Sequence, residues 1–353
     1  MKVMTYGSGQ QGSNDPLYSK GFTAMGISSI FFAWDIPYNK YLNIFRSKFI
    51  RKVLNKLFWR IFSISIMAEF KKSIDANKPD LIFVLKGWHL KKKWILEIKR
   101  ENPSVKIFCF NPDNPFNTWH SGISNMRVRS SIPAYDSYLI WSKRLIHEIE
   151  ERGGRNVQYL PFMYDPEKFY PEEKLTVKIG SGGRDVAFIG SWDEERSFWL
   201  SKICDLNLKI WGNSWEKGAS CLKKKWSGKP AFDQDFIAIC SNYKIIINII
   251  RKQNEGSHNM RTFEVPACGG FMLSTRTSEQ QEFFEEGKEA AYFSTPEELR
   301  EKVLYYLKND ELREKIARSG YEKLVKSGHT YVERAKRVIE IYNHSLSKAT
   351  DQS

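Results

Sequence analysis

The sequence predicts an α/β protein built from two Rossmann-like β/α/β domains facing a cleft, with a C-terminal helix crossing back to the first domain. Three observations carry this. Short apolar runs alternate with helical patterns from residue 2 to residue 160. The rhythm stops over 161–184, which holds Pro161, Pro166 and Pro171 and the flexible Gly180-Ser181-Gly182-Gly183. It then restarts and runs to the end. Alternating strands and helices favour parallel sheets covered on both faces. The expected divisions are 1–165, a linker over 166–184, a second domain over 185–328, and a closing helix and tail over 329–353. A connection of this kind permits hinge closure on a ligand.

The first half reads as strands at 2–6, 27–32, 80–85 (DLIFVL), 105–110 (VKIFCF), 137–141 and 157–160. A helix covers 91–100, and another runs from Ser142, a good N-cap residue, to Glu151 ahead of Gly153-Gly154. The second half reads as strands at 185–189, 208–211, 243–250, 271–274 and 290–293. Its helices are expected near 194–204, after 259, and at 296–308, 310–319 and 331–345, with Thr295 and Asn309 as caps. Asp233-Gln234-Asp235 reads as the cap of a further helix.

The chain has 353 residues, 41% of them hydrophobic and 14% aromatic, which supplies sizeable cores and excludes a disordered chain. The five cysteines form no CxxC and no His/Cys cluster, so a reducing compartment is expected. Cys109, Cys240 and Cys268 lie in apolar runs and read as buried thiols. The start, MKVMTYGSGQ, enters a strand directly and carries no signal-peptide pattern. No apolar stretch reaches the roughly 18 residues of a spanning helix. The expected location is the cytoplasm, peripheral at the inner face of the membrane.

A net charge of +14 calls for an anionic partner. Between 46 and 60 the run RSKFIRKVLNKLFWR carries Arg46, Lys48, Arg51, Lys52, Lys56 and Arg60 and no acid. Phe45, Phe49, Val53 and Leu57 recur at near-helical spacing. Residues 45–60 thus suit an anionic membrane surface, or equally an ordinary helix with a solvated basic face.

The most informative segment is 245–275, IIINIIRKQNEGSHNMRTFEVPACGGFMLST. An isoleucine-rich strand leads into a loop dense in Arg251, Asn254, Ser257, His258, Asn259 and Arg261, then a short helix bearing Glu264, then Gly269-Gly270 and a strand. Ligands of open α/β sheets bind beyond the carboxyl ends of strands, where helix N-termini attract phosphate. The segment therefore reads as a pocket for a phosphorylated, hydroxyl-rich ligand. A carboxylate such as Glu264 accepts from both hydroxyls of a ribose diol, and Arg261 suits a diphosphate. A surface Glu–Arg pair is the plain alternative. Pro266 removes a backbone donor and should weaken this helix.

Other strand-end residues join the list. Gly190, Ser191 and Arg196 follow the strand at 185–189, and Trp215 in WGNSW is placed either to stack a base or to fill the core. Gly7, Gly9 and Gly12 match the dinucleotide spacing G-x-G-x-x-G, and Asp35 stands where such a site wants an acid. Pro16 argues against it as a poor helix start. The candidates for a catalytic base are Asp113, His89, His120 and Asp15, all at or just beyond first-half strand ends. Asp113, in Asn-Pro-Asp-Asn-Pro, also reads as a turn aspartate. No HxxxH and no DxD in a strand-end loop is present, so no metal is expected.

Taken in order, several pieces of the second half resemble one family. They are GSWDEER at 190–196, LKIWGNSW at 208–215, HNMRTFEVPACGGFMLS at 258–274, FEEGKE at 284–289, and His329-Thr330-Tyr331 with Arg334. The linker YLPFMYDPEKFYP at 159–171 has the same form. This ordered set is similar to the nucleotide-sugar domain of GT-B-fold glycosyltransferases, in particular the CgeB-like, spore-maturation-protein group. The first half matches weakly. The resemblance implies that Glu264 contacts the nucleotide ribose, and that Asn259 and Arg261 line the diphosphate. It implies a nucleotide-diphosphate sugar as donor substrate, no cofactor, and a glycan or lipid-linked acceptor of cell-surface polysaccharide biosynthesis. Two other classes compete. One is a non-catalytic sugar-nucleotide-binding or coat-assembly protein. The other is a basic nucleic-acid-binding protein, for which no nucleic-acid module is found and no nucleic-acid partner is expected.

Overall fold

A computed structural model of the chain describes residues 1–10, 13–36, 47–117, 124–171 and 184–350, with side chains of 48–62 and 348–350 left undescribed. The chain divides into two compact units, Met1–Pro161 with Tyr331–Ser353, and Phe162–Thr330.

Unit 1 is built on a parallel sheet of β1 (Lys2–Gly7), β2 (Ser28–Ala33), β3 (Leu81–Leu85), β4 (Lys106–Asn111), β5 (Ser137–Ile140) and β6 (Gln158–Tyr159), in the order β2-β1-β3-β4-β5-β6. β3 is LIFVL with all five residues buried, as a strand covered on both faces requires. Its helices are α1 (Asp15–Ala24), α2 (Lys48–Asn77), α3 (Lys92–Glu101), α4 (Met126–Ser131) and α5 (Ile146–Glu151). A short 3-10 turn, Lys143–Leu145, separates Ser142 from α5.

α1 corrects one expectation. Pro16 falls in its first turn, where the missing N–H would have had no intrahelical partner. Pro16 therefore begins the helix instead of preventing it.

Unit 2 is built on a second parallel sheet. Its strands are β7 (Val186–Ile189), β8 (Leu208–Trp211), β9 (Ile245–Asn248), β10 (Met272–Thr275) and β11 (Ala291–Phe293), in the order β11-β10-β9-β7-β8. Around it lie α6 (Glu194–Ser201), α7 (Ser220–Lys223), α8 (Asp233–Asn242), α9 (Arg261–Ala267), α10 (Ser278–Phe283), α11 (Pro296–Lys308) and α12 (Asp310–Lys326). Val186, Phe188, Ile245, Ile247 and Leu273 form the sheet side of its core, with Leu200, Leu299 and Val303 packed on them. Cys109, Cys240 and Cys268 are buried thiols.

Several boundaries differ from the pattern reading. α12 continues past Ser319 because Gly320 is needed inside it: a Cβ there would stand 2.4 Å from the Glu289 carbonyl oxygen. Close packing retains a glycine that propensity alone would read as a stop. Asp233 begins α8 instead of preceding it as a cap, and Asp235 pairs with Lys229. Thr295 caps α11 by accepting from the Glu298 amide. Asn309 instead donates its side-chain amide to the Tyr305 carbonyl at the end of α11.

The last helix, α13 (Tyr331–Thr350), belongs to unit 1. It packs on α1, where a Cβ on Gly21 would meet the Tyr331 carbonyl oxygen at 2.6 Å. The Tyr18 and Tyr331 rings meet edge to face at 5.1 Å.

The strand orders position the sites. In unit 1 the chain reverses direction of travel across the sheet between β1 and β3, and in unit 2 between β7 and β9. Loops leaving neighbouring strands at such a point diverge to opposite faces and open a crevice at the carboxyl ends.

Candidate functional site

In unit 2 the crevice lies between the loops after β7 and β9. Asp193 caps α6 by accepting from the Arg196 amide at 2.9 Å. Its other oxygen accepts from Arg251 Nε at 3.0 Å, so a residue after β7 grips a residue after β9. Arg196 ties the same two loops. It is 9% exposed and donates to the Ser191 carbonyl at 3.1 Å and the Ile249 carbonyl at 2.9 Å. Burial, then the neighbouring Arg251, presses its pKa down to about 10. Arg196 thus uses its donors on backbone and braces the crevice. The charge of Arg261 also bears on it.

Gly190 and Gly212 bring the loops after β7 and β8 into contact. A Cβ on Gly212 would lie 1.9 Å from the Gly190 carbonyl oxygen, so only glycine permits the approach. That carbonyl accepts from Trp215 Nε1 at 2.8 Å. Trp215 is fully buried, edge-on to Phe188. It fills the core and fixes the Gly190 loop; it offers no face to a base.

The loop after β9 is held from beneath by a buried amide and hydroxyl network. Asn248 and Asn259 exchange amide hydrogen bonds at 2.8 and 3.2 Å. The Asn259 oxygen accepts from the Thr262 amide, fastening the start of α9. Thr262 and Ser274 both donate to the Gln280 side-chain oxygen at 2.9 Å. His258 is fully buried as well. Its Nε2 lies 3.1 Å from the Phe162 amide and accepts from it, leaving Nδ1 to donate to Glu279 at 2.8 Å. The expectation that His258 lines the ligand pocket meets a residue that knits the loop to the start of unit 2.

Glu264 and Arg261 sit at the crevice end of α9. Glu264 is 2% exposed and pairs with Arg261, whose guanidinium lies 4.6 Å from the Phe236 ring. The plain reading of a surface pair is therefore incorrect: the carboxylate is buried and the arginine partly open to solvent. α9 ends within seven residues of its start. Pro266 withholds one donor, Gly269 turns left-handed at φ +71°, and the Gly270 amide closes on the Val265 carbonyl.

In unit 1 the crevice gathers carboxylates. The glycine turn after β1 is filled from within the chain. Ser8 Oγ and the Gly9 and Gln10 amides donate to Asp35, and the Ser8 amide donates to Asp15 at 2.7 Å. Amides that would cradle a pyrophosphate already hold two carboxylates, and the dinucleotide reading fails on that ground. Gly12 lies outside the described residues.

Asp15 is raised to about 6, mainly by burial and further by Asp35, against the Ser8 amide and Lys86. Asp113 pairs with Lys86 at 2.6 Å. His89 is buried edge-on to Trp34, and burial, with Arg127, lowers it to about 3. His120 lies outside the described residues.

Of the residues expected to form a site, the structure brings Gly190, Ser191, Arg196, Arg251, Asn259, Arg261 and Glu264 around the β7/β9 crevice and Asp15 and Asp113 to the β1/β3 crevice, while His89 goes to a small cavity lined by Tyr6, Met67, Phe70 and Trp94. Trp215 and His258 go to the core. Sequence reasoning passed over Asp193, Asn248, Gln280 and Lys86. Asn248 had a visible signal, a lone amide ending an isoleucine run. Gln280 had none, because its partners come from three separate elements.

Residues 195–340 match the family model described as glycosyl transferase-like. No protein of curated function matches the sequence. Among solved structures the chain is similar to Alr3699/HepE of Anabaena, solved with UDP and glucose, at TM-score 0.66 and 11% identity over 98% of this chain and all of that one. It is also similar to the sucrose-phosphate synthase of Thermosynechococcus elongatus, at TM-score 0.68 and 10% identity over 99% of this chain and all of that one. A glycosyltransferase from Rickettsia africae gives TM-score 0.63 and 12% identity over 98% of both chains. These likenesses show the fold. The chain has the two-domain Rossmann-like GT-B architecture, and the stretch 195–340, less than half of it, matches the glycosyl transferase-like family model.

Proposed function

We propose that this protein is a glycosyltransferase that takes a sugar from a nucleotide-diphosphate donor bound by unit 2 and passes it to a glycan or lipid-linked acceptor. One observation carries the reading. Within the glycosyl transferase-like stretch, the buried Glu264 and the half-open Arg261 stand at the end of the β7/β9 crevice that Arg251 and Asp193 bridge. A carboxylate beside cationic groups suits a ribose diol next to a diphosphate. The Anabaena structure with UDP-glucose supports a donor of that class.

Transfer needs a leaving diphosphate to be stabilised and an acceptor hydroxyl to lose its proton. Arg251, Arg261 and the amides of the β7 and β9 loops answer the first need without a metal. Asp15 answers the second best. At about 6 its carboxyl is ionised at neutral pH and still basic enough to take a proton as the acceptor oxygen attacks. His89, lowered to about 3, is a weak base, and Asp113 is engaged by Lys86. Residues 45–60 would bring the enzyme to a lipid-linked acceptor. The helix that contains most of them, α2, has 30 residues and so spans about 45 Å. No described helix is long and apolar enough to cross a membrane.

The test is a thermal-shift screen of nucleoside diphosphates and their sugars, since a ligand at about 100 times its Kd adds about 2.7 kcal/mol. At least one sugar nucleotide should raise the melting temperature and be consumed with an acceptor present. Binding without turnover across a full donor and acceptor panel would indicate a sugar-nucleotide-binding protein instead.

A further inference from the structure

β8 is an edge strand, and its alternation sends neighbouring side chains to opposite faces of the sheet. Leu208 and Ile210 enter the core of unit 2. Lys209 and Trp211 therefore point to the other face. There α8 packs on β7, and Trp211 stands half-buried at the margin. A groove of about 240 Å³ follows this margin, lined by Trp211 and by Ala238 and Ile239 of α8. Tyr243, the residue after α8, lines it too. Its ring meets that of Trp211 edge to face, 5.4 Å between centres and 83° between planes. None of these residues belongs to the β7/β9 crevice.

The rest of the lining is charged. Arg184, Lys229 and Asp235 complete it. Lys229 Nζ lies 3.0 Å from Asp235 Oδ2, with the two side chains 65% and 56% exposed. Backbone bonds fix where these charges start. The Arg184 carbonyl accepts from the Lys244 amide at 3.2 Å, and the Lys229 carbonyl accepts from the Gly212 amide at 3.1 Å. Two cations face one acid, so the groove keeps a surplus positive charge.

Aromatic faces beside exposed donors and acceptors suit a ligand with an apolar face and a hydroxylated edge, which is the build of a sugar ring. The C–H groups of one ring face would lie on Trp211, and hydroxyls would reach Asp235 and Lys229. The guanidinium fork of Arg184 matches an anionic substituent. An added peptide strand does not fit, because the outer edge of β8 is already taken. The Ile210 amide donates to the Lys225 carbonyl at 3.0 Å, and the Ile210 carbonyl accepts from the Ser227 amide at 2.9 Å.

We propose that this groove is a second saccharide site, separate from the donor crevice, that holds a sugar unit bearing a carboxylate or phosphate. Its purpose rests on the transferase reading: a glycan chain gripped here stays on unit 2 between transfers. Binding itself stands apart from that reading.

The experiment is titration calorimetry of the full chain with a mannuronate hexasaccharide, with glucose 6-phosphate and, as the neutral control, with cellohexaose. At least one acidic ligand should bind, and which one does separates carboxylate from phosphate recognition. Cellohexaose should bind about tenfold more weakly or not at all, for want of the charge-assisted bond. Trp211→Ala and Arg184→Ala should each weaken the acidic ligand about tenfold, the scale of one aromatic or charge-assisted contact, and both should keep the wild-type affinity for UDP. Arg184 is exposed, so its variant decides the matter if Trp211→Ala folds poorly. No binding of either acidic ligand to the wild type, cellohexaose bound as tightly, or unchanged affinity in both variants would overturn the inference. So would a second molar equivalent of UDP that vanishes in Trp211→Ala, which would assign the groove to a nucleotide. Acidic-sugar binding that the variants lose, in a chain that turns over no sugar nucleotide, would support the groove and remove the transferase reading instead.

Discussion

Removing either member of the Arg261–Glu264 pair should have unequal effects, because the two are unequally buried. The Glu264 side chain is 3% exposed and that of Arg261 is 29% exposed. Arg261→Ala leaves a carboxylate inside the protein without its partner. Stranding one member of a buried pair costs about 3 kcal/mol. For a unit of this size, about 2–4 °C per kcal/mol puts the fall in melting temperature at about 6–12 °C. Glu264→Ala leaves a guanidinium that still lies over Phe236 and reaches water. Its loss should be about 1 kcal/mol, or about 2–4 °C. The double variant retains no stranded charge and should melt above Arg261→Ala. Binding gives a second readout. A carboxylate that accepts from ribose hydroxyls is worth about 1.5–3 kcal/mol, so Glu264→Ala should weaken UDP about 10- to 100-fold in calorimetry. Unchanged UDP affinity in both single variants would refute the donor assignment. An Arg261→Ala variant as stable as Glu264→Ala would refute the burial argument.

Three further outcomes are expected. Trp215→Phe removes the indole donor to the Gly190 carbonyl and opens space in a fully buried site, for a loss of about 2–3 kcal/mol; melting should fall, and UDP affinity should fall with it if the Gly190 loop lines the donor pocket. Asp15 is raised in the folded state, so the native chain binds more protons than the unfolded one between about pH 4 and about pH 6, and this residue's contribution to stability declines as pH rises through that window. Asp15→Asn should therefore melt no lower than the wild type at pH 7.5 while losing transfer activity, and a clear destabilisation there would contradict the sign. Anionic vesicles should sediment the protein in low salt and release it in high salt if 45–60 is a membrane contact; charge-neutralised variants at Lys52 and Lys56 that sediment equally well would count against it.

Much of the fold was legible because it rests on local pattern. The inner strands of both sheets fall on the apolar runs that parallel, doubly covered strands require, as LIFVL at β3 and the isoleucines of β9 show, whereas the edge strands β2, β6 and β8 are only partly buried. Helix ends were less legible. The reading stopped α12 at Ser319-Gly320, since nothing local reveals the Glu289 carbonyl that makes glycine the fitting residue there. Pro16 misled for the opposite reason: its effect depends on whether it stands in the first turn or inside a helix, and only the placement of Asp15 as first helical residue decides that.

The two-sheet α/β plan, and the polar segment after β9 on which the proposed donor site centres, could be read from the order of residues alone, because alternation of apolar runs and strand-end polar loops is written residue by residue. Only the tertiary structure decided what each polar residue does. His258 and Trp215 went to the core, Arg196 became a brace between backbone carbonyls, Glu264 was buried, and Lys86 entered from a loop that carries no motif. Burial and partner choice arise from residues far apart in the chain meeting at a strand reversal, and charge, hydrogen bonding and basicity follow from that meeting, not from the order of the letters.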